Sequence, residues 1–133
     1  MTRTAFVKLL GQEGLFGLTK HTADKIRVHP QDKMCLLADA GSVINMKDGE
    51  LIEDGVISAN QTVLIKPNIR LSPSRYHALV SHNPALGLMG ALVTPVSVIV
   101  RPGEEDMIGL VLKASKKIDL SELPHIFELY QID

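Results

Sequence analysis

The sequence predicts an all-β domain, either a sandwich or a barrel. Roughly nine or ten short runs rich in aliphatic and β-branched residues follow one another along the chain. Turn signals built on Gly, Pro, Asn and Asp separate these runs at intervals of about 8–12 residues. No segment sustains the apolar period of a long helix. The length of 133 residues is that of one domain, so we expect a single β domain over residues 1–133.

The composition allows a real core and excludes some classes of partner. Hydrophobic residues make up 45% of the chain and aromatic residues only 4%, so branched aliphatic side chains must fill the interior. The formal net charge of -1 provides no basic surface, so we expect neither a nucleic acid nor a membrane as partner. No apolar run reaches the roughly 18 residues of a membrane span without Pro or charge.

The reactive side chains give no sign of a cofactor or a metal site. The single cysteine, Cys35, lies in an apolar run and is predicted to be a buried small hydrophobe. Reduced cysteine and the absence of a signal-peptide pattern favour the cytoplasm. The carboxylates of residues 48–54 lack the alternating ligand spacing of a calcium loop, and no His pair has metal-site spacing. We therefore expect no metal and no cofactor.

The first half of the chain combines strand runs with strong turn signals. Asp48-Gly49 and Asp54-Gly55 predict turns, because Gly accepts a positive φ and Asp can bond to its own backbone. The predicted elements are a β-prone run at 4–10, a loop or helical turn at 15–23, an edge strand at 26–29, a buried strand at 34–38, a turn at 39–42 and a strand at 61–71.

The second half is organised around a predicted hairpin. Residues 96–100 and 107–112 are two β-rich runs on either side of a charged Pro-Gly turn, Arg101–Asp106. The other predicted elements are a strand at 76–80, a charged connection at 113–117, a short run at 118–120 and an alternating final strand at 124–132, with Ile126, Leu129 or Tyr130, and Ile132 facing inward.

Five segments between residues 36 and 132 have an order and spacing that can be compared with the motifs of a known family. They are Ala40–Val43, Asn68–Val80, Asn83–Gly87, Val98–Val100 continuing to Leu112, and Leu123–Leu129. In pattern and spacing they resemble the motifs of the trimeric dUTP nucleotidohydrolase (dUTPase) family. The resemblance implies a distorted jelly-roll or β-barrel and a homotrimer.

The departures from the family's motifs bear on its chemistry. The general-base Asp of the family's Val-Ile-Asp is matched here by Val100, or by Arg101 if the insertion falls earlier, and neither can activate a water. Other motif residues of the family are replaced by Val43, by Asn83-Pro84 and by Pro124-His125. The resemblance therefore implies a scaffold without catalytic residues.

The function that follows is a catalytically inactive dUTPase-like protein that binds a partner protein or a nucleotide. Viruses retain such inactive folds as interaction proteins, so a viral source, with a location in the host cytoplasm or nucleus, fits the resemblance. The predicted binding surface consists of Asn83, Arg101, Glu104, Glu105 and Asp106.

Two alternatives from other classes stay open. The first is an active dUTP or dNTP pyrophosphatase that uses Mg and displaced carboxylates at positions 104–106. The second is a trimeric structural β module, similar to a capsid-decoration protein.

Overall fold

The computed structural model of the chain describes residues 27–28, 35–68 and 77–132. These residues form short strands joined by tight turns, with one four-residue α-helix, α1 (Ala85–Leu88), and two 3₁₀ turns, Glu105–Met107 and Leu120–Glu122. The strands are β1 (Arg27–Val28), β2 (Cys35–Ala38), β3 (Ala40–Asn45), β4 (Val56–Ile57), β5 (Thr62–Pro67), β6 (His77–His82), β7 (Ala91–Pro95), β8 (Ile99–Val100), β9 (Leu110–Ala114), β10 (Ile118–Asp119) and β11 (Phe127–Ile132).

The strands form three antiparallel sheets. The largest has the order β1-β2-β11-β6-β8, the second has the order β3-β5-β9-β7, and β10 pairs with β4 in a two-stranded sheet. The all-β prediction is confirmed. Within the described ranges no sheet closes into a barrel. The jelly-roll topology and the trimer implied by the resemblance stay predictions.

One hydrophobic cluster joins the three sheets. β5 and β9 point Val63, Ile65, Leu110 and Leu112 inward, each with no exposed surface, and Phe127 supplies the cluster's only aromatic ring among the described residues. Burial of each such side chain contributes roughly 1.5–3 kcal/mol. Cys35 is also fully buried, which confirms its predicted environment.

The final strand, β11, shows which of two residues, Leu129 or Tyr130, faces inward. Leu129 is fully buried in the cluster, whereas Tyr130 is only half-buried and lies on the opposite face of β11. Ile126 is buried just before the strand begins, as predicted, and Ile132 is half-buried.

The predicted turn at 39–42 is wrong, because β3 begins at Ala40. Asp39 alone separates β2 from β3, and this single residue carries the chain from one sheet to the other. The ladder between β3 and β5 shifts register between Ala40 and Ser42. At this shift, a Cβ on Gly41 would lie 2.5 Å from the Pro67 carbonyl oxygen. Gly41 therefore permits a close approach of two strands rather than a turn.

The predicted hairpin is also corrected. Val96 donates its N–H to the Gly109 carbonyl (2.9 Å), but the following residues leave that sheet. β8 pairs with β6 in the five-stranded sheet, and the return strand β9 pairs with β7 instead. The strand β9 also includes Lys113, which was predicted to belong to the charged connection at 113–117.

Most other predicted strands are present with shifted ends. The predictions at 26–29, 34–38, 61–71, 76–80 and 118–120 correspond to β1, β2, β5, β6 and β10. The predicted turns after Asp48 and Asp54 are present as well, with φ of +75° at Gly49 and +68° at Gly55. The predictions for 4–10 and 15–23 lie outside the described residues.

Candidate functional site

The charged turn after β8 exposes three of the predicted binding residues. The Glu104 N–H donates to the Arg101 carbonyl (3.0 Å), and Lys66 Nζ donates to the Asp106 carbonyl (2.6 Å). The side chains of Arg101, Glu104 and Asp106 are exposed. The backbone of this turn is thus held in place while these three charged side chains face solvent.

Asn83 does not belong to that surface. Its side chain is 7% exposed, donates to the His125 carbonyl (3.0 Å) and accepts from the Ala85 N–H (3.0 Å). Val100 pairs with Ala78, and Asn83 lies five residues further along the chain, which is about 16 Å in an extended strand. The structure therefore gives Asn83 a structural role, joining the end of β6 to the residues before β11.

The position matched to the family's general base is filled by a core side chain. Val100 is 2% exposed and belongs to the hydrophobic cluster. The next residue, Arg101, is exposed in the charged turn. Neither alignment of the motif places a carboxylate at this point of the scaffold.

A cleft of about 610 Å³ lies elsewhere, beside the beginning of β3. Its volume is in the range of small-molecule sites, which is roughly 300–1,000 Å³. No single motif of the sequence indicates this cleft, because its walls come from three separate stretches of chain. It is lined by Asp39, Ala40, Gly41, Ser42, Val43, Leu51, Ile52, Glu53, Asp54, Gly55, Leu120, Ser121, Leu123, Pro124 and Ile126.

The cleft is lined by acidic side chains together with apolar side chains. Asp39, Glu53 and Asp54 supply three carboxylates, and no Lys, Arg or His is among the described residues that line it. The Asp54 carboxylate accepts from the Val56 N–H (3.0 Å), which fixes the turn before β4. Like charges repel, so the cleft disfavours an anionic group such as a triphosphate.

A small capping arrangement shapes one wall of the cleft. Asp119 Oδ1 accepts from the Ser121 N–H (3.0 Å) and from the Ser121 hydroxyl (2.6 Å). These bonds, with a smaller contribution from the charge of Lys117, hold the pKa of Asp119 below its usual value. The 3₁₀ turn after β10 is therefore anchored by a carboxylate that favours its charged form.

A second polar cluster lies at the start of β11, outside the cleft lining. His125 Nε2 is 3.0 Å from Glu128 Oε2, and both side chains are 13% exposed. The Tyr130 hydroxyl donates to the other oxygen of Glu128 (3.4 Å). These groups satisfy one another, so the cluster is explained by the hydrogen bonding that buried polar groups require.

The largest departure from an ordinary surface is an exposed apolar segment. Of the eight large apolar side chains exposed in the described part of the chain, six fall within residues 88–107, here called the edge segment. It contains β7 and β8, each the last strand of its sheet. The exposed side chains are Leu88 (88%), Leu92 (71%), Val98 (56%), Ile99 (48%), Met107 (42%) and Val96 (38%).

The edge segment was predicted only in part. The sequence indicated its apolar strands and its charged turn, but it did not indicate that the strands would lie at two sheet edges. The concentration of exposed apolar side chains in one segment makes it a candidate interaction site.

No protein-family model matches the chain, and the comparison with curated proteins gives no match either. The dUTPase resemblance therefore remains a prediction from the sequence. Among the residues that the structure describes, no group of three or more His, Cys, Asp or Glu is placed to hold a metal ion. No helix within those ranges has the length and apolar character to cross a membrane.

Proposed function

We propose that this protein is a non-catalytic protein on a dUTPase-like scaffold and that it acts by binding another protein chain. The observation that carries this proposal is the burial of Val100 at the position matched to the family's general base. A hydrolase of this type needs a carboxylate within hydrogen-bond reach of the attacking water. An aliphatic side chain in a packed core supplies none.

Two acidic groups of the charged turn, Glu104 and Asp106, are poor candidates to replace the missing base. Glu104 and Asp106 are exposed, and neither lines the cleft. A catalytic carboxylate is normally set in a recess where burial and neighbouring groups adjust its pKa. Exposed carboxylates on a turn fit recognition better than proton transfer.

The cleft also favours a role other than nucleotide hydrolysis. Its three carboxylates face a space without a described cationic side chain, although it adjoins Ala40–Val43 and Leu123–Ile126, which resemble the family's first and last motifs. Binding sites for phosphate use Arg, Lys or clustered backbone N–H groups to balance the charge. The edge segment, with its six exposed apolar side chains, is the better candidate for binding.

An activity assay tests the non-catalytic part of the proposal. The full chain is incubated with dUTP and the other dNTPs in the presence of Mg²⁺, and pyrophosphate release is followed. We expect none above the protein-free rate. A matched thermal-shift measurement with dUTP is expected to leave Tm unchanged, because a ligand raises Tm only by binding the folded state.

The opposite result identifies the alternative enzyme directly. Protein-dependent release of pyrophosphate that disappears in Glu105→Gln or Asp106→Asn would establish the displaced-carboxylate pyrophosphatase. Release that persists in both variants would place the catalytic base elsewhere and would equally exclude a non-catalytic protein.

A further inference from the structure

We propose that two copies of this chain pair through the free edge of β7, antiparallel about a twofold axis. The two four-stranded sheets then join into one sheet of eight strands. This inference rests on the binding role proposed above and names the partner as a second copy of the chain.

The first argument is the direction of the backbone hydrogen-bonding groups. Ser115 donates its N–H to the Gly90 carbonyl (3.0 Å), and Val96 donates to the Gly109 carbonyl (2.9 Å). These bonds lie at the two ends of the β7–β9 ladder and place its even-numbered residues in the hydrogen-bonded pairs. Because the groups alternate along an antiparallel strand, the N–H and C=O of Ala91 and Val93 point away from β9. β7 is the last strand of its sheet, so no strand among the described residues occupies this edge.

The second argument is that the edge carries little protection. Natural edge strands are commonly blocked by charged side chains or by proline. No Asp, Glu, Lys or Arg occurs between Leu86 and Val100, and Pro95 is only the last residue of β7. Leu92 projects from the middle of the strand with 71% of its surface exposed. An uncharged open edge of this kind is a template for strand addition.

The third argument is that β7 is complementary to itself in one register. If Ala91 pairs with Val93 of the second copy, and Val93 with its Ala91, four N–H···O=C bonds form. The two Leu92 side chains then face each other in a non-hydrogen-bonded pair, where Cα atoms are about 4.5 Å apart. A register centred on Val93 places Pro95 opposite Ala91, whose carbonyl then has no N–H partner.

The absence of charge on β7 is compatible with a second copy as the occupant, and the small size of the strand sets the expected affinity. Neither copy brings a charged side chain on β7, so pairing buries no unpaired charge. A five-residue strand and its neighbouring apolar side chains bury less than the roughly 1,200 Å² of a stable interface. We therefore expect reversible association with a dissociation constant on the order of micromolar.

Sedimentation equilibrium of the full chain tests this interface. The weight-average mass is measured across about two decades of concentration in the micromolar range. We expect it to rise toward twice the value at the lowest concentration. Leu92→Lys places two ammonium groups opposite each other and should weaken association at least about tenfold. The control Leu51→Lys changes a side chain of similar exposure, 61%, away from β7 and should associate like the original chain.

A second variant separates backbone pairing from side-chain repulsion. Ala91→Pro removes one outward-facing N–H and leaves the hydrogen bonds to β9 in place, since proline is tolerated on that side of an edge strand. It should also weaken association, with thermal unfolding used to confirm that the variant folds.

Two outcomes overturn the proposal. One is a constant mass over the whole concentration range. The other is an assembly of equal mass for Leu92→Lys and Leu51→Lys, including a trimer built through another surface. Because mass and pyrophosphate release are measured separately, a failure of this interface is distinguishable from a failure of the non-catalytic role.

Discussion

The interior strands β5 and β9 and the edge strands β7 and β8 are built from similar aliphatic residues but lie in opposite surroundings. Ile65 and Leu112 have no exposed surface, whereas Leu92 and Ile99 expose 71% and 48% of theirs. Within the described sheets, the interior strands have a hydrogen-bonded neighbour on both sides and the edge strands on one side. Position in the sheet, rather than residue type, decides which apolar side chains are available for binding.

The same contrast occurs within a few residues of one chain segment. Val100 packs in the hydrophobic cluster, while Val98, two residues earlier, is 56% exposed. Val98 precedes the two-residue strand β8, and its carbonyl accepts the Val80 N–H (2.9 Å). Substitutions in this segment therefore test whether the position matched to the family's general base lies in the packed core or opens onto a cavity.

The largest effect is expected for Val100→Asp. A carboxylate at this position, which is 2% exposed, would lie in the hydrophobic cluster, and an uncompensated buried charge costs roughly 3–5 kcal/mol of unfolding free energy. The matched variant Val98→Asp adds the same charge at an exposed position and should change stability by only about 0.5 kcal/mol. Urea denaturation followed by circular dichroism measures both.

Equal stabilities for the two variants would contradict this interpretation of β8. They would mean that position 100 opens onto water, as a catalytic pocket requires. Pyrophosphate release gained by Val100→Asp would show in addition that the rest of the family's site is present.

Features of the fold that depend on local interactions could be predicted from the sequence, whereas features that depend on contacts between distant parts of the chain could not. Local signals predicted the turns at Gly49 and Gly55, because a positive φ is a property of the residue itself. The pairing of β8 with β6 was not predictable in this way, since both possible partners for residues 96–100 are aliphatic strands. The contact at Gly41 was likewise hidden, because it depends on Pro67, which is 26 residues away.

A smaller effect is expected for Asn83→Ala. The change leaves the His125 carbonyl and the Ala85 N–H without the partners that Asn83 provides at 3.0 Å each. Loss of hydrogen bonds to partly buried groups should lower the unfolding free energy by about 1–3 kcal/mol. Arg101→Ala, in the exposed turn, should stay within about 0.5 kcal/mol of the original chain. Thermal or urea unfolding of the pair distinguishes a structural residue from a surface residue.

If Arg101→Ala proved as destabilising as Asn83→Ala, the charged turn would be part of the framework and not a free surface. The sequence placed both residues in one binding surface because both fall near motifs of the resembled family. It could not show that the Asn83 amide bonds to a carbonyl 42 residues away. The acidic cleft was hidden for the same reason, since residues 39–43, 51–55 and 120–126 meet only in the folded chain.

The smallest effect concerns the carboxylate that anchors the wall of the cleft. Hydrogen bonds from Ser121 lower the pKa of Asp119, so the folded state favours the charged form more than the unfolded state does. The resulting stabilisation is present above the pKa of the unfolded chain and is lost as the pH falls through the lower pKa of the folded chain. The acid-sensitive window therefore lies below about pH 4.

Ser121→Ala should raise the pKa of Asp119 toward its usual value and flatten the pH dependence of Tm in that window. Ser115→Ala is the matched control, because Ser115 loses a hydroxyl bond of the same length, 2.6 Å, to the Gly90 carbonyl rather than to a carboxylate. Carboxyl NMR titration of Asp119 and Tm measured from about pH 3 to about pH 7 follow the change. If both variants shift Tm equally at every pH, the hydroxyl contributes only as a hydrogen-bond donor. A destabilisation by Ser121→Ala that is present at neutral pH and disappears on acidification, while that of Ser115→Ala does not change with pH, assigns the contribution to the charge of Asp119.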